Sequence, residues 1–127
     1  ALIAFLDGAP GKITTLYRRD REMVIRVRDL LRAALPASLS LEEVADQLHL
    51  SPRTAHRRLE EEGSSFRAIK DALRRDMALS RLTKTHDTIA QIAADLGYAD
   101  TSAFYRAFVE WTGMAPVHYR RHWSSKT

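Results

Sequence analysis

One pattern occurs twice in this chain. When Leu41–Phe66 is laid over Ile89–Pro116, Val44 falls on Ile92, Ala45 on Ala93 and Leu48 on Leu96, each 48 positions apart. Beyond a turn, Ala55 meets Phe104, Arg57 meets Arg106 and Leu59 meets Phe108, each 49 apart, so the second turn is one residue longer. An internal repeat means one supersecondary unit used twice. Here the unit reads as a short helix, a tight turn and a longer helix, the helix-turn-helix plan with helices crossing at roughly 90–120°. Ala45 and Ala93 suit such a crossing, which needs a small side chain where two helices meet. Gly97 supplies the positive φ of the turn. His49 takes that place in the first copy and makes its turn less ideal. A plain bundle is the poorer reading, because bundles prefer long, nearly antiparallel helices.

The rest of the chain reads as helix around this repeat. Residues 1–20, punctuated by Gly8, Pro10 and Gly11, read as a linker or the remnant of an upstream domain, with Ile13–Tyr17 a candidate extended stretch. Ala1 in place of an initiator methionine reads as a piece of a longer chain. From Arg21, Met23, Val27, Leu30, Leu31 and Ala34 recur at helical spacing until Pro36. Ser40 and Glu43 form a capping box, and Thr88 with Gln91 repeats it. Ser51-Pro52 is an N-cap followed by an N1 proline. Ser65 caps a long helix whose stripe is Phe66, Ile69, Leu73 and Met77, reaching about Thr83. Asp100 or Thr101 caps the helix that buries Phe104 and Phe108. Gly63 and Gly113 are left-handed stops, and Pro116 opens a last helix holding Val117, Tyr119 and Trp123. The predicted class is all-α: two helix-turn-helix subdomains, at about 40–62 and 88–112, joined by a connecting helix at about 65–84, seven helices in all within 21–127.

Composition narrows the chemistry. Lys plus Arg is 20 against 16 for Asp plus Glu, a net charge of +4, which permits nucleic acid as a partner without requiring it. There are no cysteines, which excludes disulfides, thiolate metal sites and thiol catalysis. No segment reads as a signal peptide or a bilayer span, so the expected location is cytoplasmic, with no membrane partner.

The outer faces of the two longer helices carry the candidate site. With Ala55 and Leu59 inward, Arg53, His56 and Arg57 share the opposite face at i, i+3 and i+4. Arginine grips guanine O6 and N7 with two hydrogen bonds, and histidine donates to a base edge or a phosphate. Thr54 and Arg58 flank them, with Arg58 a phosphate contact or a partner of Glu61 or Glu62. Glu60-Glu61-Glu62 closes the helix and repels phosphate, which points its N-terminal end toward the groove. In the second copy Thr101, Ser102, Tyr105 and Arg106 share one face, Arg106 being the one strong reader unless Asp95 or Asp100 holds it. Tyr105 suits a phosphate or a thymine methyl. The alternative for each residue is a solvated charge on an exposed face. The connecting helix, about 28 Å long at 1.5 Å per residue, is close to the ~34 Å between successive major grooves. Arg67, Lys70, Arg74, Arg75 and Arg81 give it a basic character.

The run Ile92-Ala93-x-x-Leu96-Gly97-Tyr98, Phe104-x-Arg106-x-Phe108, Gly113-x-x-Pro116-x-x-Tyr119-Arg120 resembles the signature of AraC/XylS-type transcription regulators. The likeness covers about residues 21–122, and Val44-Ala45-x-x-Leu48 with Ser51-Pro52-Arg53 also fits. The resemblance implies a seven-helix domain that binds double-stranded promoter DNA sequence-specifically. It puts base-facing places at Arg53, His56, Arg57, Thr101, Ser102, Tyr105 and Arg106, with each recognition helix in one of two adjacent major grooves. It also implies RNA polymerase as a partner of such activators, and a sensor domain preceding residue 1. A single chain holding both readers predicts a monomeric fragment, and a missing upstream domain is the place for dimerisation. Ala115 departs from the family's Ser or Thr before the proline and predicts a poorly capped last helix. Ala55 is smaller than the usual leucine.

Two other classes compete. The same module is similar to one fused to alkylation-repair methyl-acceptor domains, but those need a reactive cysteine. No Gly-x-Ser-x-Gly or His-Glu-x-x-His occurs. His118 and His122 stand at i, i+4 without a third ligand, so neither a metal nor a cofactor is expected and the chain does not read as an enzyme. The alternative to DNA reading is a protein-interaction module with only weak DNA binding, which a large apolar patch would favour.

Overall fold

The computed structural model describes residues 21–124, so the readings for residues 1–20 lie outside the described residues. The described residues form seven α-helices and no strand: α1 Glu22–Ala34, α2 Leu41–Gln47, α3 Pro52–Glu61, α4 Phe66–Lys84, α5 Ile89–Asp95, α6 Thr101–Thr112 and α7 Pro116–Ser124. They divide into two compact units, one of residues 21–30 and 40–69, the other of residues 31–39 and 70–124. No described helix is long and apolar enough to cross a membrane.

In the first unit α2 packs against α3. Its core holds Met23, Val24, Val27, Val44, Ala45, Ala55, Leu59 and Ile69. The capping box of α2 is complete: the Ser40 hydroxyl accepts from Glu43 N at 3.1 Å, and Glu43 Oε1 accepts from Ser40 N at 2.8 Å. Glu62 departs from the expected surface charge. Its carboxylate accepts from the amides of Met23 and Val24, both at 2.8 Å, and so caps the first turn of α1 from 38 and 39 residues away. Those amides have no partner within their own helix, and a carboxylate at a helix N-terminus also meets the positive end of its dipole.

The second unit is centred on Ala78, Leu82, Ile92, Ala93, Leu96, Phe104 and Phe108. The α4 stripe leaves Ile69 and Leu73 for Ala78 and Leu82, while Met77 is only half-buried. From Leu73 the next buried residue is five on, a turn of about 140° where a four-residue step gives about 40°, so the buried line passes to another face of the helix. Thr88 caps α5 by accepting from Gln91 N at 3.0 Å, but the box is not reciprocal, because the Gln91 amide donates forward to Asp95 at 3.0 Å. Asp100, not Thr101, caps α6. In α7, Pro116 is buried and Tyr119 sits edge-on to Phe108 at 5.4 Å between ring centroids. Val117 and Trp123 lie on this helix as expected but are 49% and 45% exposed, because the side turned to the core runs through Pro116 and Tyr119. Arg120 closes α4 from outside: its Nε donates to Leu82 O at 3.0 Å, and its Nη2 to Arg81 O and Thr85 O at 3.4 and 3.3 Å.

The two turns repeat bond for bond. Leu50 N donates to Ala45 O at 2.9 Å, and Tyr98 N to Ala93 O at 3.1 Å. Both pairs keep the 48-residue register, whereas the caps Ser51 and Asp100 stand 49 apart. The inserted residue is therefore Ala99. The left-handed position is filled by His49 at φ 60° in one turn and Gly97 at φ 87° in the other. A Cβ on Gly97 would meet Pro36 O at 2.7 Å. Gly97→Ala is therefore expected to lower the unfolding free energy by about 2 kcal/mol or more, from the left-handed penalty of ~1–2 kcal/mol plus that clash. His49→Gly should shift it by less than about 1 kcal/mol, since relief of strain and the added freedom of the unfolded chain oppose each other. Urea denaturation of the two variants checks both, and equal losses would contradict the assignment.

Arg81 joins α4 to the loop before α5 and to α5 itself. Its guanidinium donates to Asp87 Oδ2 and Asp95 Oδ2, each at 2.7 Å. The hydrogen bond from Arg81, then that with Thr85, holds the Asp87 carboxyl below its ordinary value of 3.8, and the bonds to Asp87 and then Asp95 raise Arg81. A depressed carboxylate contributes stability that is present above its unfolded value and is lost as pH falls through the folded one. Asp87→Asn should thus be less stable than the parent chain at pH 7. The difference should close in the acid range below 3.8, as followed by denaturation at a series of pH values. A gap that stays constant into acid would contradict the pairing.

Candidate nucleic-acid interface

Two helix faces carry the residues singled out by the sequence. On α3, the Ser51 hydroxyl accepts from Thr54 N at 3.1 Å and donates to Thr54 Oγ1 at 3.0 Å, so Thr54 belongs to the cap and is half-buried. With Ala55 and Leu59 fully buried, Arg53, His56, Arg57 and Arg58 are all exposed. His56 Nδ1 lies 3.7 Å from Glu60 and Arg57 Nε 3.8 Å from Glu61, both one turn along. Arg57, not Arg58, is thus the partner of Glu61, as i, i+4 geometry favours. These side chains are more than half exposed, and such surface pairs contribute about 0.3–0.5 kcal/mol, so a stronger anion displaces them at little cost. Arg53 and Arg58 have no ion pair among the described residues.

On α6, the Asp100 carboxylate accepts from Ala103 N at 2.7 Å and fixes the first turn. Phe104 and Phe108 are fully buried, which turns Thr101, Ser102, Tyr105 and Arg106 outward, where they line one surface hollow of about 330 Å³. Neither aspartate suspected of holding Arg106 does so: Asp95 is bonded to Arg81 and Gln91, and Asp100 is spent on the cap. Arg106 has no ion pair among the described residues. Sequence reading missed Val109, which is 38% exposed one turn beyond Tyr105. Its signal was its phase: an apolar residue directly after the buried Phe108 falls off the core stripe.

The basic residues of α4 are largely committed elsewhere. Arg81 is taken by its two aspartates with 22% of its side chain exposed, and Arg75 pairs with Asp76 at 3.3 Å. The Arg74 guanidinium lies 4.5 Å from the Tyr98 ring centroid. Burial, then the Arg74 charge, lowers Lys70, against the pull of Asp71, and burial pushes the Tyr98 phenol up. No group of three or more His, Cys, Asp or Glu side chains among the described residues is placed to hold a metal ion.

The arrangement is thus two short helix faces, with Arg53 and Arg58 unpaired on α3 and Arg106 on α6, beside hydrogen-bonding groups on capped helices. The helix-turn-helix domain family matches residues 44–122. The ornithine utilization regulator of Pseudomonas aeruginosa is 38% identical over 120 residues, which cover 94% of this chain and 32% of that protein. The chain therefore spans about a third of that relative's length. A DNA-binding transcriptional dual regulator from Escherichia coli K-12 superposes with a TM-score of 0.76 at 26% identity, covering 83% of this chain and 94% of that one. The DNA-binding domain of AdpA, solved in complex with a target DNA, has the same fold, with a TM-score of 0.70 at 21% identity over 81% of this chain and 94% of that one.

If the outward cations are not structural, their removal leaves the fold intact. Arg53→Ala and Arg106→Ala are expected to change the unfolding free energy by less than about 0.5 kcal/mol. Arg81→Ala, which takes a charged donor from Asp87 and from Asp95 and leaves Asp95 with Gln91, should cost more than about 1 kcal/mol. Thermal unfolding of the three variants separates the classes, and a loss at Arg106 as large as that at Arg81 would make it a structural residue.

Proposed function

Because this chain belongs to the AraC-type helix-turn-helix family, we propose that it is the DNA-reading part of a sequence-specific transcription regulator. Each unit sets its recognition helix, α3 or α6, into a major groove of double-stranded promoter DNA. The observation that carries this reading is the pair Arg57 and Arg106: equivalent places in two copies of one motif, both outward, on helices whose opposite faces are core. In this reading each grips guanine O6 and N7. Arg53, His56, Thr101 and Ser102 contact neighbouring edges or phosphates, and Arg58 and Thr54 contact the backbone. Residues 21–127 act as the DNA-binding domain, with RNA polymerase as the partner at the promoter and the cytoplasm as the place of action. Both readers lie in one chain, so the 127-residue chain works as a monomer.

The test is fluorescence anisotropy on a duplex selected from randomised DNA. Affinity is expected to fall with salt at a log–log slope of about −4 to −6, for about 5 to 7 neutralised phosphates. Arg57→Ala and Arg106→Ala should each lose ~1–3 kcal/mol and relax preference at one base position, a different one for each variant. A slope near zero, or both variants altering the same base pair, would overturn the reading. If a protein-interaction role with weak DNA binding is the true one, the selection yields no enriched sequence.

A further inference from the structure

The two reading faces differ in chemistry. On α3 the exposed side chains over the outer turn are Arg53, His56, Arg57 and Arg58, all nitrogen donors. On α6 the place equivalent to His56 is Tyr105, and the residue one turn on is Val109, 46% and 38% exposed. Tyr105 is also set apart from the other aromatic residues of its unit. Tyr98, Phe104, Phe108, Trp111, Tyr119 and Trp123 each meet another ring at 5.4–6.1 Å between centroids. Tyr105 meets no ring and makes no hydrogen bond among the described residues. Its neighbours in the surface hollow are two hydroxyls, Thr101 and Ser102, and one guanidinium, Arg106. Nearly half of this residue stays in water, without a ring or a hydrogen-bonding partner among the described residues, so that exposed part is open to a contact from outside this chain.

Building on the DNA-reading proposed above, we infer that Tyr105 reads the 5-methyl group of a thymine beside the guanine held by Arg106. The thymine methyl is the one apolar feature that a base pair presents in the major groove of unmodified DNA. Among the exposed residues of the hollow, only the Tyr105 ring offers a broad apolar face. Tyr105 and Arg106 are adjacent on the first turns of α6, so one inserted helix end brings a methyl-covering face and a bidentate donor to neighbouring base pairs. The α3 face offers no such ring. The site is therefore asymmetric: the half read by α6 discriminates thymine from uracil, and the half read by α3 does not.

The experiment uses the 127-residue chain and a duplex selected from randomised DNA. Each thymine is replaced in turn by deoxyuridine, which removes the methyl and leaves every hydrogen-bonding group in place. The half read by α6 is located by the base pair at which Arg106→Ala relaxes preference. One thymine next to that base pair should weaken binding roughly fourfold when replaced, the effect of one buried methyl. Tyr105→Phe should keep this sensitivity. Tyr105→Ala, with its helical circular dichroism unchanged, should bind the thymine and uracil duplexes equally. The inference is overturned if no thymine in that half is sensitive, if the sensitivity survives in Tyr105→Ala, or if Tyr105→Phe weakens every duplex alike, which marks a hydroxyl contact to phosphate. In those cases the guanine dependence of Arg57 and Arg106 still stands. A selection that enriches no sequence overturns both readings at once.

Discussion

Two helix backbones can approach closely only where one of them carries almost no side chain, and the rest of this molecule follows from that condition. Ala45 and Ala93 meet it, with 0% and 2% exposure. Each also lends its carbonyl to the residue just past the left-handed turn, Leu50 or Tyr98. The short helix, the turn and the start of the longer helix are thereby fixed together. The direction of α3 and α6, and so the side of each that faces outward, is decided at a methyl group and one hydrogen bond.

Charge is then sorted by position. Groups near the ends of helices are consumed in holding the fold: Glu62 on the amides of α1, Arg120 on the carbonyls of α4, Arg81 between Asp87 and Asp95. Groups on the outer faces of α3 and α6 are either unpaired or held by exposed glutamates one turn away. Buried-side pairs of good geometry resist exchange, whereas exposed pairs yield readily. A net charge of +4 says little of this; what matters is which cations are already spoken for.

Local chemistry was legible in the sequence and long-range chemistry was not. Ser40 with Glu43, Ser51 with Pro52, and the stops at Gly63 and Gly113 follow from rules that act over three or four residues, and all appear at those places. His49 was readable as a strained turn residue because the repeat aligns it with a glycine. The bond from Glu62 to Met23 and Val24 leaves no periodic trace, nor does Arg120 reaching Leu82. Which side of α7 faces inward was not readable, because three apolar residues in nine, Val117, Tyr119 and Trp123, fix no single stripe. The pairing of Arg57 with Glu61 was within reach of the i, i+4 rule, and the three consecutive glutamates obscured it. Outward direction was deducible for every candidate residue except Thr54, whose hydroxyl is drawn into the cap.

Glu62 also bears on where this protein's modules begin and end. The matched family region starts at residue 44, and the repeated motif at residue 41, yet the carboxylate that closes α3 is satisfied only by amides at residues 23 and 24. The repeat as a sequence pattern is thus shorter than the first unit as a physical one. Duplication or recombination at the motif's own borders would leave an acidic side chain without its donors and a helix start without its acceptor. A cut anywhere between Val24 and Glu62 parts this carboxylate from both amides, and the shorter piece carries an interaction with nothing to answer it.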